Sequence, residues 1–352
     1  MAKKVLIVDD SALVRKQLTE IISTLDVEID TAKNGQEAVD KATSIQYDVI
    51  TMDINMPVMD GIEAVRRIMQ EQPTAILMVS SLTTADATIT MDALDLGAID
   101  FIAKPGTMNI GKNENTDEIL QKVNSLSRIP KRRLKRQTST PSQRERRVVK
   151  NEQVEQVTDS RDIEKIVLIG ASTGGPGLIE QICSSLPADY KYPVCIVQHM
   201  PEQFTATFAQ RLNRSSRLNV HETSQNMELL PGNIYLAHGG VHMHFSKKTS
   251  GKIVIREEKN KGESYFQPSV NEMMLSALNI FEASDIIGVL LTGIGDDGAD
   301  GMVKLKKEGA YTLGESESSS TVYGMPKEAF DRGGVSEQLA FLDILKKIVT
   351  FK

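Results

Sequence analysis

Lys4-Val-Leu-Ile-Val-Asp-Asp10 is a short apolar run that stops abruptly at two carboxylates. Ser11 follows as a helix cap. Leu13, Val14, Leu18, Ile21, Ile22 and Leu25 then recur at helical spacing. A buried strand that ends in polar residues and leads straight into an amphipathic helix is the unit of a parallel α/β sheet. The same grammar repeats four more times. Strands are expected at 27–31, 47–53, 75–80 and 98–102, with helical stretches near 35–45, 60–71, 84–95 and 114–126. Five such units predict a parallel sheet with helices on both faces. The pattern resumes at Lys165-Ile-Val-Leu-Ile-Gly-Ala-Ser-Thr-Gly-Gly-Pro-Gly177, a strand, a glycine-rich turn and a helix running to Ser185.

At 352 residues the chain predicts two domains, each large enough for its own core. The formal net charge of −6 conceals three zones. Residues 1–127 carry 11 basic and 20 acidic side chains, residues 128–150 carry 10 and 1, and residues 151–352 carry 20 and 26. The middle zone reads Arg128-Ile-Pro-Lys-Arg-Arg-Leu-Lys-Arg136, then a Thr/Ser/Pro/Gln stretch, then Arg144-Glu-Arg-Arg147. Its charge density and scarcity of apolar residues predict a basic flexible linker over 127–161, between domains at 1–126 and 162–352. A basic run can bind nucleic acid, but no aromatic residue is interleaved here and no recognition-helix pattern follows. A solvated tether is the better reading, with no nucleic-acid partner. Cys183 and Cys195 both lie in apolar stretches and predict reduced, buried thiols. The apolar run after Lys3 and Lys4 ends after four residues, too short for a signal peptide, and no membrane-spanning run is seen. A cytoplasmic location without membrane insertion is expected.

In the first domain, Asp9, Asp10, Asp53, Ser80 and Lys104 all fall at or just past the carboxyl end of a strand, where an open α/β sheet gathers its ligands. Carboxylates held together call for a cation, and an oxygen-only set suits Mg²⁺. A nearby lysine and hydroxyl would grip phosphate oxygens. The pattern predicts a phosphoryl-accepting site with Asp53 as nucleophile. Val8-Asp-Asp10, Met52-Asp-Ile-Asn-Met-Pro-Val-Met-Asp-Gly61, Val79-Ser-Ser81 and Lys104-Pro105 resemble the receiver domain of two-component response regulators. That resemblance implies phosphorylation at Asp53. It also implies metal ligation by Asp10, Asp53 and the Asn55 backbone carbonyl, supported by Asp9. Ser80 and Phe101 would stand at the switch positions, and Lys104–Pro105 would often be a cis peptide.

In the second domain, the glycine-rich turn is neither a P-loop, since Pro176 stands where a lysine is needed, nor a G-x-G-x-x-G fingerprint. The G-x-S-x-G elbow is broken by Thr173 and Gly174. What remains is Ser172 on a tight turn at the mouth of a helix, with amides that could face an oxyanion. A serine nucleophile needs a base and a group that orients it. His199 ends the apolar run Val194-Cys-Ile-Val-Gln198, and Asp297 follows the apolar run 286–291. Three strand carboxyl ends therefore offer Ser172, His199 and Asp297, with Asp296 competing for the orienting role. His238, His242 and His244 fall in a segment expected to form a hairpin over 231–258. His242 and His244 would share a face, but no ligand spacing completes a zinc site. His221 is expected to be structural.

Gly170-Ala-Ser-Thr-Gly-Gly175, Gln198-His-Met-Pro201, Leu291-Thr-Gly-Ile-Gly-Asp-Asp-Gly-Ala299 and Tyr323-Gly-Met-Pro326 resemble the catalytic domain of chemotaxis protein-glutamate methylesterases, the CheB family. The order of receiver, basic linker and this domain matches that family across nearly the whole chain. The resemblance implies a flavodoxin-like receiver and a Rossmann-like three-layer α/β/α esterase domain, both doubly wound. Ser172 would be the nucleophile, His199 the general base and acid, and Asp297 the orienting carboxylate. The implied substrates are methyl esters of glutamate on methyl-accepting chemotaxis receptors, with glutamine deamidation as a second activity. A chemotaxis histidine kinase would be the phosphodonor, Mg²⁺ would serve the receiver, and the esterase site would need no cofactor. Because the two domains share a chain, the control expected here is a receiver that covers the Ser172 crevice until Asp53 is phosphorylated. Ile294 departs from the family's usual methionine. A DNA-binding response regulator and a small-ester hydrolase are the competing readings.

Overall fold

The computed structural model describes residues 2–81, 83–105, 112–138, 159, 163–259 and 266–351. They form two units, Met1–Arg144 and Glu145–Lys352.

The first unit alternates β1 (Lys3–Val8), α1 (Ala12–Ile22), β2 (Val27–Ala32), α2 (Gly35–Ser44), β3 (Val49–Asp53), α3 (Gly61–Glu71), β4 (Ala75–Ser80), α4 (Thr84–Asp95), β5 (Asp100–Ala103) and α5 (Lys112–Leu126). Its sheet runs β2-β1-β3-β4-β5, with every pairing parallel. The central strands β3 and β4 are buried at every position, which is why they read as unbroken apolar runs. Helix starts follow local chemistry. The side chains of Ser11, Asn34, Asp60 and Thr83 each accept from an amide in the first turn of the next helix. Gly61 is required by a close approach: a Cβ there would lie 2.0 Å from the Asp53 carbonyl oxygen. The missing side chain lets the mouth of α3 rest against the strand that carries Asp53.

Part of the stretch expected to be linker is helical. α6 (Lys131–Thr138) is helical, and Leu134 is buried in the first unit's core, with Ile129 packed against the same cluster. Leu134 is the one apolar residue of this helix, and fully burying such a side chain contributes roughly 1.5–3 kcal/mol. The segment 139–158 lies outside the described residues.

The second unit contains β6 (Ile166–Ala171), α7 (Gly175–Ser185), β7 (Val194–Gln198), α8 (Glu202–Ser215), β8 (Asn219–Glu222), β9 (Asn233–Leu236), β10 (His242–Lys247), β11 (Ile253–Glu258), α9 (Val270–Ala277), β12 (Ile286–Leu290), α10 (Ala299–Glu308), β13 (Tyr311–Glu315), α11 (Met325–Asp331), β14 (Glu337–Leu339) and α12 (Phe341–Thr350). Seven strands form one parallel sheet in the order β14-β13-β12-β6-β7-β9-β8. From β6 the chain builds outward through β7, then crosses back to build the other half from β12. The neighbouring strands β12, β6 and β7 therefore span the switch in direction where such sheets form crevices. The two-domain parallel α/β architecture expected from the sequence is what the chain adopts.

The segment expected to be a single hairpin is split. β9 joins the main sheet beside β7, and only β10 and β11 form an antiparallel pair. Ile234, Tyr235 and Leu236 are three consecutive buried residues, a pattern suited to a sheet covered on both faces and not to a hairpin with one wet side. Cys183 and Cys195 are free and buried. No helix among the described residues is long and apolar enough to cross a membrane.

Candidate active site

The first unit gathers its acidic residues where the topology dictates. Asp9 and Asp10 follow β1, Asp53 ends β3, Ser80 ends β4 and Lys104 follows β5. Carboxylate oxygens of Asp9, Asp10 and Asp53 lie within 4.8 Å of one another. Lys104 Nζ stands 2.9 Å from Asp53 Oδ1 and 3.2 Å from Asp9 Oδ2. Backbone amides hold the remaining geometry: Ile54 N donates to Asp53 Oδ1 and Ser11 N to Asp9 Oδ1, both at 2.8 Å. Asp53 Oδ2 is buried and has no hydrogen-bond partner among the described residues. An unpartnered oxygen aimed into a cluster of carboxylates fits a divalent, oxygen-liganded cation such as Mg²⁺.

Burial, reinforced by repulsion from Asp9, pushes the Asp53 carboxyl up to about 6 against the pull of Lys104. Burial likewise raises Asp9. Burial works against the Lys104 charge, but Asp53 and Asp9 outweigh it and hold the ammonium above its ordinary range. The Asn55 side chain donates to Asp86 Oδ1 at 3.2 Å. Ser80 and Phe101 are both buried, at 1% and 3% exposure, so each could move only by repacking. The Lys104–Pro105 bond is not cis; the cis peptide among the described residues is Gln267–Pro268.

In the second unit Ser172 follows β6, His199 follows β7 and Asp297 follows β12, one from each of three adjacent strands. The Ser172 turn is stitched to both neighbours. Its amide donates to Thr292 O at 3.0 Å, and its carbonyl accepts from Gln198 Nε2 at 2.9 Å. Gln198 Nε2 also reaches His199 O at 3.1 Å, and His199 N donates to Ala171 O at 3.1 Å. The turn itself closes through Gly175 N to Ser172 O at 2.8 Å, with Gly174 in the left-handed region at φ +80°. The Ser172 and Gly175 amides are thus committed to the scaffold, which leaves other groups to face an oxyanion.

His199 Nε2 lies 2.8 Å from Asp297 Oδ2. A carboxylate only accepts, so Nε2 carries a proton, and in the neutral ring the lone pair falls on Nδ1. Nδ1 is buried and has no hydrogen-bond partner among the described residues. Asp297 is itself fixed by three donors at the mouth of α9: Ser269 Oγ at 2.7 Å, Val270 N at 2.7 Å and Asn271 N at 3.0 Å. Burial pushes this carboxyl upward, but the His199 hydrogen bond and charge, with the Asn271 and Val270 amides, hold it below the usual carboxylate range. Asp296 points elsewhere: it is 62% exposed and pairs with Arg332 at 2.6 Å. Of the two neighbouring carboxylates, Asp297 is the one that reaches His199.

Four further residues around this site have no role assigned from the sequence. Phe266 stacks on the His199 ring, with centroids 4.0 Å apart and planes within 8°. Gln198 and Thr292 bridge the loops, Thr292 Oγ1 donating to Thr173 O at 2.9 Å. Ser269 caps α9, accepting from Glu272 N. Its Ser-x-x-Glu spacing is a capping-box signal that could have been found.

The other histidines take structural partners. His244 contacts Glu258 and Glu272, each at 3.2 Å, and stacks on His242 with centroids 6.1 Å apart. His238 lies near Glu257 and Glu202, and His221 near Asn233. Among the described residues the Asp9, Asp10 and Asp53 trio is the group of three with metal-binding proximity.

Residues 167–348 match the CheB methylesterase family, and residues 5–113 match the response regulator receiver domain. A protein of Carboxydothermus hydrogenoformans named protein-glutamate methylesterase/protein-glutamine glutaminase 2 is 46% identical, over 98% of each chain. A similarly named protein of Archaeoglobus fulgidus is 40% identical, over 99% of this chain and 97% of its own. The crystal structure of the Thermotoga maritima CheB methylesterase catalytic domain aligns with a TM-score of 0.51 at 34% identity, covering 53% of this chain and 98% of that one. With both modules in order and relatives aligned from end to end, this chain belongs to the CheB methylesterase family, coupled to a response regulator receiver domain.

Proposed function

We propose that this protein hydrolyses glutamate methyl esters on chemotaxis receptors, with Ser172 as nucleophile, His199 as general base and acid, and Asp297 as the orienting carboxylate. The observation that carries this reading is the His199–Asp297 hydrogen bond on the strand end next to the Ser172 turn, with the imidazole's other nitrogen left to take a proton. His199 Nδ1 accepts the Ser172 Oγ proton as the oxygen attacks the γ-carbonyl carbon. Collapse of the tetrahedral adduct breaks the bond to the methoxy oxygen, which leaves as methanol with the proton from Nδ1. Water then attacks the acyl-serine, giving its proton to Nδ1, and Ser172 regains it as glutamate departs. A glutamine side chain passes through the same acyl-serine and releases ammonia, so deamidation is proposed as a second activity. Phe266 and Asp297 together hold the imidazole in one plane, which favours proton transfer along a fixed direction.

The receiver supplies control. Asp53 is the proposed phosphoacceptor, with a chemotaxis histidine kinase as donor. Asp10, Asp53 and the Asn55 carbonyl, supported by Asp9, would hold Mg²⁺, which supplies neutralising charge to the incoming phosphoryl group. Lys104 and Ser80 would bind its oxygens, and Phe101 would repack. The shift in activity can be no larger than the phosphoryl group's differential stabilisation of the two states. The test is methanol release from methylated receptor membranes, with and without a small phosphodonor and Mg²⁺. A faster release with the phosphodonor is expected. Methanol release from small esters but not from receptors would contradict the assignment.

A further inference from the structure

His242 opens β10 and is fully buried, at 0% exposure. Its Nδ1 accepts the backbone N–H of Ser269 at 3.2 Å. Ser269 in turn donates its hydroxyl to Asp297 Oδ1 at 2.7 Å, and Asp297 holds His199 at 2.8 Å. A continuous chain of contacts thus runs from His242 to the base. The far side of the ring is unusual: His242 Nε2 is buried with no hydrogen-bond partner among the described residues. Buried polar atoms are normally paired, and an exception this close to a reaction site needs a reason. An apolar side chain would fill the space without that cost. What it could not do is accept the Ser269 amide.

We propose that His242 is a positioning residue for ester hydrolysis: as a neutral acceptor at Nδ1 it fixes Ser269, and through Ser269 it fixes Asp297 and His199. This rests on the serine-site reading above. Accepting at Nδ1 commits the neutral ring to the Nε2–H tautomer. Protonation would turn Nδ1 into a donor facing the Ser269 N–H, and the loop that holds Asp297 would have to move. His242 therefore adds a second proton-sensitive group to the site. The groups facing it oppose one another. Burial and the neighbouring His244 on β10 disfavour its charge, while Glu272 of α9, Glu258 of β11 and Asp297 favour it, and burial prevails, holding the ring below the ordinary imidazole range.

The experiment measures methanol release from methylated receptor membranes by the full chain, comparing His242→Leu, which removes the acceptor, with His242→Asn, whose Oδ1 can replace Nδ1. His242→Leu should lower kcat about tenfold, the worth of one hydrogen bond in a charged network, with KM within about twofold. His242→Asn should stay within about threefold of the parent. It should also flatten the acid limb of kcat/KM, from a two-proton to a one-proton fall. In an Asp297→Asn background, His242→Leu should cost nothing further. Parental kcat in His242→Leu would overturn the proposal. So would a folded His242→Asn as slow as His242→Leu, an acid limb unchanged by His242→Asn, or a tenfold cost that persists beside Asp297→Asn. If His242→Leu does not fold, the rate and acid limb of His242→Asn decide. An Asp297→Asn protein with full activity would overturn the serine-site reading itself, whereas an impaired one with additive His242→Leu overturns only the role of His242.

Discussion

Asp53 and Asp297 are both buried carboxylates, 2% and 7% exposed, at the carboxyl end of a parallel strand or just beyond it. Their surroundings are opposite. Asp53 faces two other carboxylates with one lysine to offset them, and one of its oxygens has no hydrogen-bond partner among the described residues. Asp297 accepts from His199, Ser269, Val270 and Asn271 and has no unpaired oxygen. Burial dominates at the first and lifts the carboxyl, while hydrogen bonds outweigh it at the second and depress it. Topology supplies the place in each sheet, and the donors around it determine the chemistry. A carboxylate left wanting charge is suited to take up a cation and a phosphoryl group. A carboxylate already satisfied is suited to hold an imidazole still.

The comparison breaks most severely at the reacting atom. Ser172→Ala should lower methanol release by roughly 10⁴-fold or more while circular dichroism and the unfolding transition persist. Asp297→Asn should follow with a loss of roughly 10³- to 10⁴-fold in kcat, because an amide can present a donor to His199 and favour the wrong tautomer. The same assay on Asp53→Asn should give a ratio of stimulated to unstimulated rate of one, and chelation of Mg²⁺ should do likewise to the parent.

Stability against pH sharpens the contrast, because the two carboxylates should tilt it in opposite directions. Asp53 has a folded value near 6 against an unfolded value of 3.8. Between those pH values the folded chain keeps a proton that the unfolded chain has lost, so stability falls as pH rises through the window. The fall is roughly 2–3 kcal/mol in metal-free buffer, and Asp53→Asn should remove it from urea titrations at pH 4 and 7. Asp297 has a folded value below 3.8, so its contribution is present above pH 4 and is lost as pH falls through the folded value. Asp297→Asn should therefore lose less stability on acidification below pH 4 than the parent. The smallest effect belongs to Asp296→Asn. It breaks an exposed ion pair with Arg332, and methanol release should change by less than about threefold.

Both sheets were legible because their central strands are buried on both faces and so appear as continuous apolar runs. The candidate site residues stand out in the sequence because a polar group shortly after such a run lies at the rim of the sheet. Asp296 and Asp297 could not be separated, since neighbours in a loop share every sequence signal; the Arg332 contact and the α9 amides distinguish them only in three dimensions. Phe266 and Gln198 act through tertiary placement and leave no periodic trace. Leu134 was hidden by its neighbours, a single apolar residue among lysines and arginines that nevertheless docks α6. β9 was misread because the glycines around it suggested a hairpin, when its three buried residues belong in the main sheet.

The proposed chemistry stands or falls on one serine, Ser172, just past the strand next to the one that leads to His199. The most direct measurement is titration with a serine-directed phosphonylating reagent, following methanol release and locating the adduct by peptide mass spectrometry. One adduct per chain is expected, on Ser172, with activity falling in proportion to labelling. Complete labelling of Ser172 with methanol release intact would contradict it.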